Sequence, residues 1–305
     1  MKTLKGKAFE AQEFESLNEF AKYCEGEITK EFQVFGTTHE AMPSHGTTAS
    51  EVKFTGSASF EEAMTLMKSG YKEGLENLKK AKTKLTECGA IARPRIKLDV
   101  VGFAPCVPNA IIGLPKSMIK RERVMQKSPI IDICYDVTLS CREDKRVLFE
   151  GGKNVLAAVK ELEAQGLRVN LKIIMNTYVR SNAVKICKVV IKKATQALNP
   201  LLVSYPLTHP SFFRRNMLAW EEVSPLTAKG FAEGYGHPFY AHPDVKKFGA
   251  SDCLKRMGAL GKTEYYVSVK DAAKANNLEE LFRNMGLVKD NKYVSGWREI
   301  KVNRD

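Results

Sequence analysis

The sequence predicts an α/β protein: a mixed sheet with one parallel crossover and an antiparallel hairpin, covered by helices and preceded by an N-terminal helical region. Three observations carry this. Residues 129–139, PIIDICYDVTL, are β-branched, alternating and bounded by polar loops. NVLAAVKELEAQG then sets Val155, Ala158, Val159 and Leu162 on one helical face, with Gly166 as the cap. LRVNLKIIMNTYV and VKICKVVIKKA follow as strands on either side of the turn RSNA. A helix crossing between strands of one sheet makes a right-handed crossover and a parallel pair, whereas the short turn makes an antiparallel one.

The other elements follow in chain order. Residues 8–24 read as a helix, with Phe9, Leu17, Phe20 and Cys24 near helical spacing. FGTTHEAMPSHGTTASEV reads as a loop. Ser59, with Glu62 three residues on, forms a capping box for a helix to about Lys68. Ser69-Gly70 interrupts it, and a second helix is expected from about Lys72 to Glu87. Residues 95–103 read as a strand, followed by a loop with Pro105, Pro108, Gly113 and Pro115. Pro210 suits the first turn of a helix on which Phe213, Met217 and Trp220 share a face. EYYVSVKDAAKANN and KYVSGWREIKV are further strand candidates. The organisation expected is a helical region over 1–90, an α/β core over 91–225, and loops, short helices and strands over 226–305.

A chain of 305 residues buries enough surface to need neither disulfide nor metal for stability. The seven cysteines are odd in number and scattered without C-x-x-C, the pattern of reduced thiols in a reducing compartment. No apolar run reaches the ~18 residues of a membrane span, and MKTLKGKAFEAQEFESLNEF lacks the apolar core of a secretory signal. The expectation is a cytoplasmic protein with no membrane partner. The formal charge of +13 favours an anionic partner, either DNA or RNA or an acidic protein.

The densest stretch is YPLTHPSFFRRNMLAWEE. Neither Arg214 nor Arg215 meets a carboxylate three or four residues away, so both need partners from elsewhere in the chain or outside it. A guanidinium fork suits phosphate and carboxylate alike, which leaves an anion site and a tertiary ion pair both open. Lys188 and Lys192, read as sharing a strand face, join Lys172 on the neighbouring strand in a positive track; Lys120, Arg121 and Arg123 extend it. A solvated face is the other reading, and no aromatics interleave for base stacking. Asp132 and Asp136 share a face but stand about 13 Å apart along the strand. Asp99, on a neighbouring strand, would be needed to make a magnesium site. The His-Pro pairs at His209, His237 and His242, and the loop residues His39 and His45, lack zinc spacing. Gly151-Gly152-Lys153 precedes a helix but is not a phosphate-binding loop. No catalytic signature stands out, and no cofactor is implied.

Three segments, FTGSASFEEAMTLMKSGYKEGL, LDVVGFAPCVPNAIIGLPKSM and YPLTHPSFFRRNMLAWEE, resemble a family of uncharacterised proteins of tailed phages and prophages. The matching residues are Phe54, Gly56, Ser59, Glu62, Ala63, Gly70, Tyr71, Gly74, Pro105, Pro108, Gly113, Pro115, Met118, Pro210, Ser211, Arg214 and Arg215. The resemblance spans about residues 10–225. It implies a phage origin and no assigned reaction. Three functions follow in order: non-catalytic binding of an anionic polymer; a protein-interaction factor, either an inhibitor of a host protein or an assembly component, with the 104–118 loop as contact; and a metal-dependent nuclease or nucleotide-handling enzyme using Asp99, Asp132 and Asp136.

Overall fold

The chain enters through two strands, β1 (Lys2–Lys5) and β2 (Phe9–Phe14), rather than through a helix. The computed structural model describes residues 2–5, 9–26, 43–80, 95–122, 130–179, 183–222, 237–239, 243–289 and 292–293. The helix expected over 8–24 therefore starts only at Leu17, as α1 (Leu17–Gly26). The cause is tertiary: β2 pairs in parallel with a strand near residue 186, and sheet pairing overrides local helical preference. The stretch read as a loop holds a 3₁₀ turn at Pro43–His45 and α2 (Ala49–Thr55). A reciprocal capping box between Thr48 and Glu51 starts that helix. Then α3 (Phe60–Ser69) begins at Ser59, whose hydroxyl accepts from Glu62 N, and stops at Gly70 as expected. The next helix, α4, covers Lys72–Lys80, and its expected continuation to Glu87 lies outside the described residues.

A small antiparallel sheet follows: β3 (Arg95–Asp99), β4 (Ala104–Pro105), α5 (Val107–Ile111) and β5 (Met118–Glu122), in strand order β3-β5-β4. The main sheet resumes with β6 (Ile130–Asp136), α6 (Lys145–Ala164), β7 (Arg168–Val179) and β8 (Ala183–Lys192). The pairing is as expected, β6 with β7 parallel and β7 with β8 antiparallel. Gly151 and Gly152 lie inside α6, not before it. They are there for close approach: a Cβ on Gly152 would fall 2.1 Å from the Leu207 carbonyl oxygen.

The rest is helical apart from one strand of the main sheet and a two-stranded ribbon. After α7 (Pro200–Thr208) the chain breaks at His209 and is helical again from Pro210. A π-helical turn spans Phe212–Met217 and leads into α8 (Leu218–Glu222). Then come α9 (Pro243–Phe248), α10 (Ala250–Arg256), β9 (Glu264–Ser268), α11 (Val269–Lys274), α12 (Leu278–Met285) and the ribbon β10 (Val288–Lys289) with β11 (Lys292–Tyr293). Residues 294–305, part of the last strand candidate, lie outside the described residues.

The main sheet has the order β1-β2-β8-β7-β6-β9, so it draws strands from all three expected regions. It is mixed, with parallel pairs at β2/β8, β6/β7 and β6/β9. Alternation along the strands divides the core. Ile133, Tyr135, Ile173, Met175, Cys187 and Val189 face α1, α3, α6, α7 and the 210–222 helix. Cys134, Ile174, Val184, Ile186 and Tyr266 face the other way and pack with Phe239, Val245, Leu254 and Leu260.

Candidate functional site

The arginine helix is a lock between distant segments. Arg215 has no exposed surface. Its Nε donates to Ser57 Oγ at 2.8 Å, Nη1 to Ser44 O at 2.8 Å, and Nη2 to Gly46 O at 3.0 Å and Ser57 O at 2.8 Å. Arg214 is also buried: Nη1 donates to Phe54 O at 2.8 Å, Nη2 to Glu143 O at 3.3 Å, and the guanidinium lies 4.2 Å from the Phe54 ring centre. The π-helical turn carries both side chains into the α2–α3 connection. Gly56 permits the contact, since its φ is +84° and a Cβ would come 2.7 Å from the Pro210 ring. The first and third segments of the phage resemblance thus meet in space. Their arginines donate hydrogen bonds to main-chain carbonyls and to Ser57. In this geometry neither is a surface ligand for an anion.

The lysine track is dismantled in a similar way. Lys188 faces Ile174, whereas a bulge at Leu171/Lys172 sets Lys192 opposite Leu171, on the other face of the sheet. The expected shared face fails for that reason. Lys188 pairs with Glu264 at 3.1 Å, and Lys172 bridges Glu13 at 2.8 Å and Glu264 at 2.7 Å. Lys192 pairs with Glu163 at 2.5 Å and donates to Val169 O at 3.0 Å. Burial pushes the Glu264 carboxyl upward, but Lys188 and the hydrogen bond from Lys172 outweigh it and hold the pKa at about 2. Lys120 is an exposed partner of Asp99 at 2.9 Å, Arg121 lies on β5 opposite Ile96, and Arg123 is outside the described residues.

The three aspartates do not converge. Asp99 sits on β3 in the small sheet, not beside β6. Asp132 accepts from Asn170 Nδ2 at 2.7 Å. Asp136 is buried and accepts from Thr138 N at 2.9 Å, Thr138 Oγ1 at 2.5 Å, Asn176 Nδ2 at 3.1 Å and the Tyr266 hydroxyl. Burial raises its pKa despite those donors. Among the described residues no group of three or more His, Cys, Asp or Glu is placed to hold a metal ion. His209 is buried against Tyr71 and Tyr205, and burial lowers its pKa to about 4. His45 stacks on Phe60 and His237 lies near Tyr178, while His39 and His242 are outside the described residues.

Among the described residues, one open cavity lies between helices and another at the sheet. One, of about 440 Å³, is lined by Glu143, Arg146, Glu150, Lys270 and Lys274, between α6 and α11. The other, of about 360 Å³, is lined by Glu13, Asp132, Asn170, Lys172 and Lys193. The acids of each are held by neighbours, as in the pairs Lys270–Glu143 at 2.5 Å and Lys172–Glu13 at 2.8 Å.

What stands out instead is the small sheet. Residues 95–122 form a tongue in which none of residues 97–120 is buried or joins either hydrophobic core. Residues 100–115 contain no charged side chain. Ile111 is 79% exposed, Val101 71% and Ile112 69%, and Val100, Phe103, Val107 and Leu114 are exposed as well. The backbone is nevertheless ordered by hydrogen bonds: Phe103 N donates to Ile119 O at 2.9 Å, Cys106 N to Ser117 O at 2.7 Å, and Leu114 N to Asn109 O at 2.9 Å. Gly102 lies against β5, where a Cβ would come 2.3 Å from Ile119 O. The sequence reads as a strand to residue 103, whereas β3 ends at Asp99, and as a proline-rich loop beyond, the contact of the protein-interaction reading; its charge-free, aliphatic composition is unusual for a loop.

A family model described as a domain of unknown function, DUF7192, matches residues 6–288. The chain belongs to the DUF7192 family. No curated protein and no solved structure matches it. The match takes in the main sheet apart from β1, the arginine lock and the tongue.

Proposed function

We propose that this protein works by docking onto another protein, as an assembly or inhibitory factor, with the tongue of residues 95–122 as its contact. The observation that carries this is the exposure of Val100, Val101, Phe103, Val107, Ile111, Ile112 and Leu114, all in α5 and the connections between the strands of one small sheet. Apolar patches beyond a few hundred Å² are rare on monomers and mark interaction surfaces. A bilayer is a poor fit, because the irregular backbone from 100 to 117 would leave polar groups without partners in hydrocarbon. Nucleic acid fits less well still: Arg214, Arg215, Lys172, Lys188 and Lys192 spend their protons on the protein itself. No helix among the described residues is long and apolar enough to cross a membrane, and we take the cytoplasm as the place of action. The phage resemblance of the three segments is compatible with an assembly role.

The test is Phe103→Ser/Ile111→Ser/Ile112→Ser, melted at submicromolar concentration. Residues that serve a contact and not the core should leave the unfolding free energy within about 0.5 kcal/mol of wild type. A loss of about 2–5 kcal/mol, the usual cost of truncating a core side chain, would place them in the fold and sink the docking reading.

A further inference from the structure

We infer that the occupant of the tongue is the tongue of a second copy of this chain, packed about a two-fold axis. This rests on the docking reading above and names its partner. The first ground is area. With roughly 150–200 Å² of accessible surface per large apolar residue, the exposed fractions from Leu98 to Leu114 amount to about 800 Å² counted over all sides of the tongue, enough to reach one partner's share of a standard stable interface. A two-fold contact meets this with one patch used twice, as in most soluble homo-oligomers.

The second ground is layout. The charge-free run 100–115 is flanked by Lys97 and Asp99 on one side and Lys116 and Lys120 on the other. That is an apolar centre with a polar rim, the anatomy of a protein interface. One edge of the small sheet, β4, holds Pro105, which has no N–H to offer a further strand, so the contact is made by side chains on that edge.

The rim also separates this partner from others. Residues 97–120 hold Lys97, Lys116 and Lys120 against Asp99, a surplus of two positive charges. Two such rims repel each other, so the dimer strengthens as salt screens them. An acidic partner or a nucleic acid would show the opposite slope, weakening with salt.

Sedimentation of the wild-type protein from about 1 to about 100 µM, at low and high salt, tests the inference. The expected result is a monomer–dimer equilibrium that tightens with salt and is weakened at least about 100-fold by Ile111→Glu/Ile112→Glu, with an unchanged circular dichroism spectrum. A dimer that the variant leaves intact, an assembly other than a dimer, or a wild-type monomer at every concentration overturns it. In the monomeric case, the labelling rate of Cys106 by a maleimide separates the two claims. Fast labelling keeps the docking surface and assigns it to a different protein; slow labelling removes both.

Discussion

Arg215 shows what the helix around residue 210 is for. A fully buried guanidinium is costly unless every donor is met, and here Nε, Nη1 and Nη2 are met by Ser57, Ser44 and Gly46. The planar fork spans the 3₁₀ turn at 43–45 and the α2–α3 connection together, which a single ammonium cannot do. Arg215→Lys should therefore destabilise the protein by about 3 kcal/mol, because it leaves buried carbonyls without donors. Urea unfolding measures this; a loss below about 1 kcal/mol would show that the lock contributes little. That the arginines needed distant partners was legible in the sequence, since local spacing offers them no carboxylate. The identity of the partners was not, because Ser44 and Ser57 lie 171 and 158 residues away. Lys192 was misplaced for a related reason: a single bulge reverses the side on which a strand residue points, and nothing in VKICKVVIKKA announces it.

At the scale of elements, the strands and helices of the centre were legible because each carries its period openly. PIIDICYDVTL alternates, NVLAAVKELEAQG repeats at helical spacing, and Ser59 caps α3 as read, although the Glu62 carboxylate accepts from Ala58 N and so does not close the expected box. Two elements misled. FEAQEF sits in a run with helical spacing, yet its place beside β8 makes it a strand. Gly151-Gly152 resembles a helix entry because glycine disfavours helix interiors, but the pair thins α6 where α7 and α11 cross it. Gly152→Ala follows directly. The added methyl group meets a backbone oxygen, which cannot swing aside as a side chain would, so α6 and α7 must separate. The expected loss is about 1–3 kcal/mol, against the gain of a few tenths to 1 kcal/mol that the same change brings to an unconstrained helix. Denaturant unfolding decides by sign alone, and stabilisation would mean that the two helices are less closely packed than described.

The whole molecule divides its labour between a body and a tongue. The body puts several of its charged residues to internal use. Glu264 holds two lysines, Glu163 a third, and the buried arginines close the N-terminal helices over the sheet. A formal charge of +13 read from composition suggested a binding face, but composition does not say which charges are already paired. The tongue does the reverse: among the described residues, its exposed apolar side chains join neither hydrophobic core. Its strands have so little buried surface that they lean on an external contact for full order. Hydrogen exchange of residues 98–119, followed at submicromolar and at tens of micromolar protein, tests that claim most directly. The account predicts weak protection of these amides in the dilute protein and strong protection in the concentrated one, with the amides of β6, β7 and β8 unchanged. Equal and strong protection of 98–119 at both concentrations would contradict it, for the tongue would then be ordered by the chain's own fold.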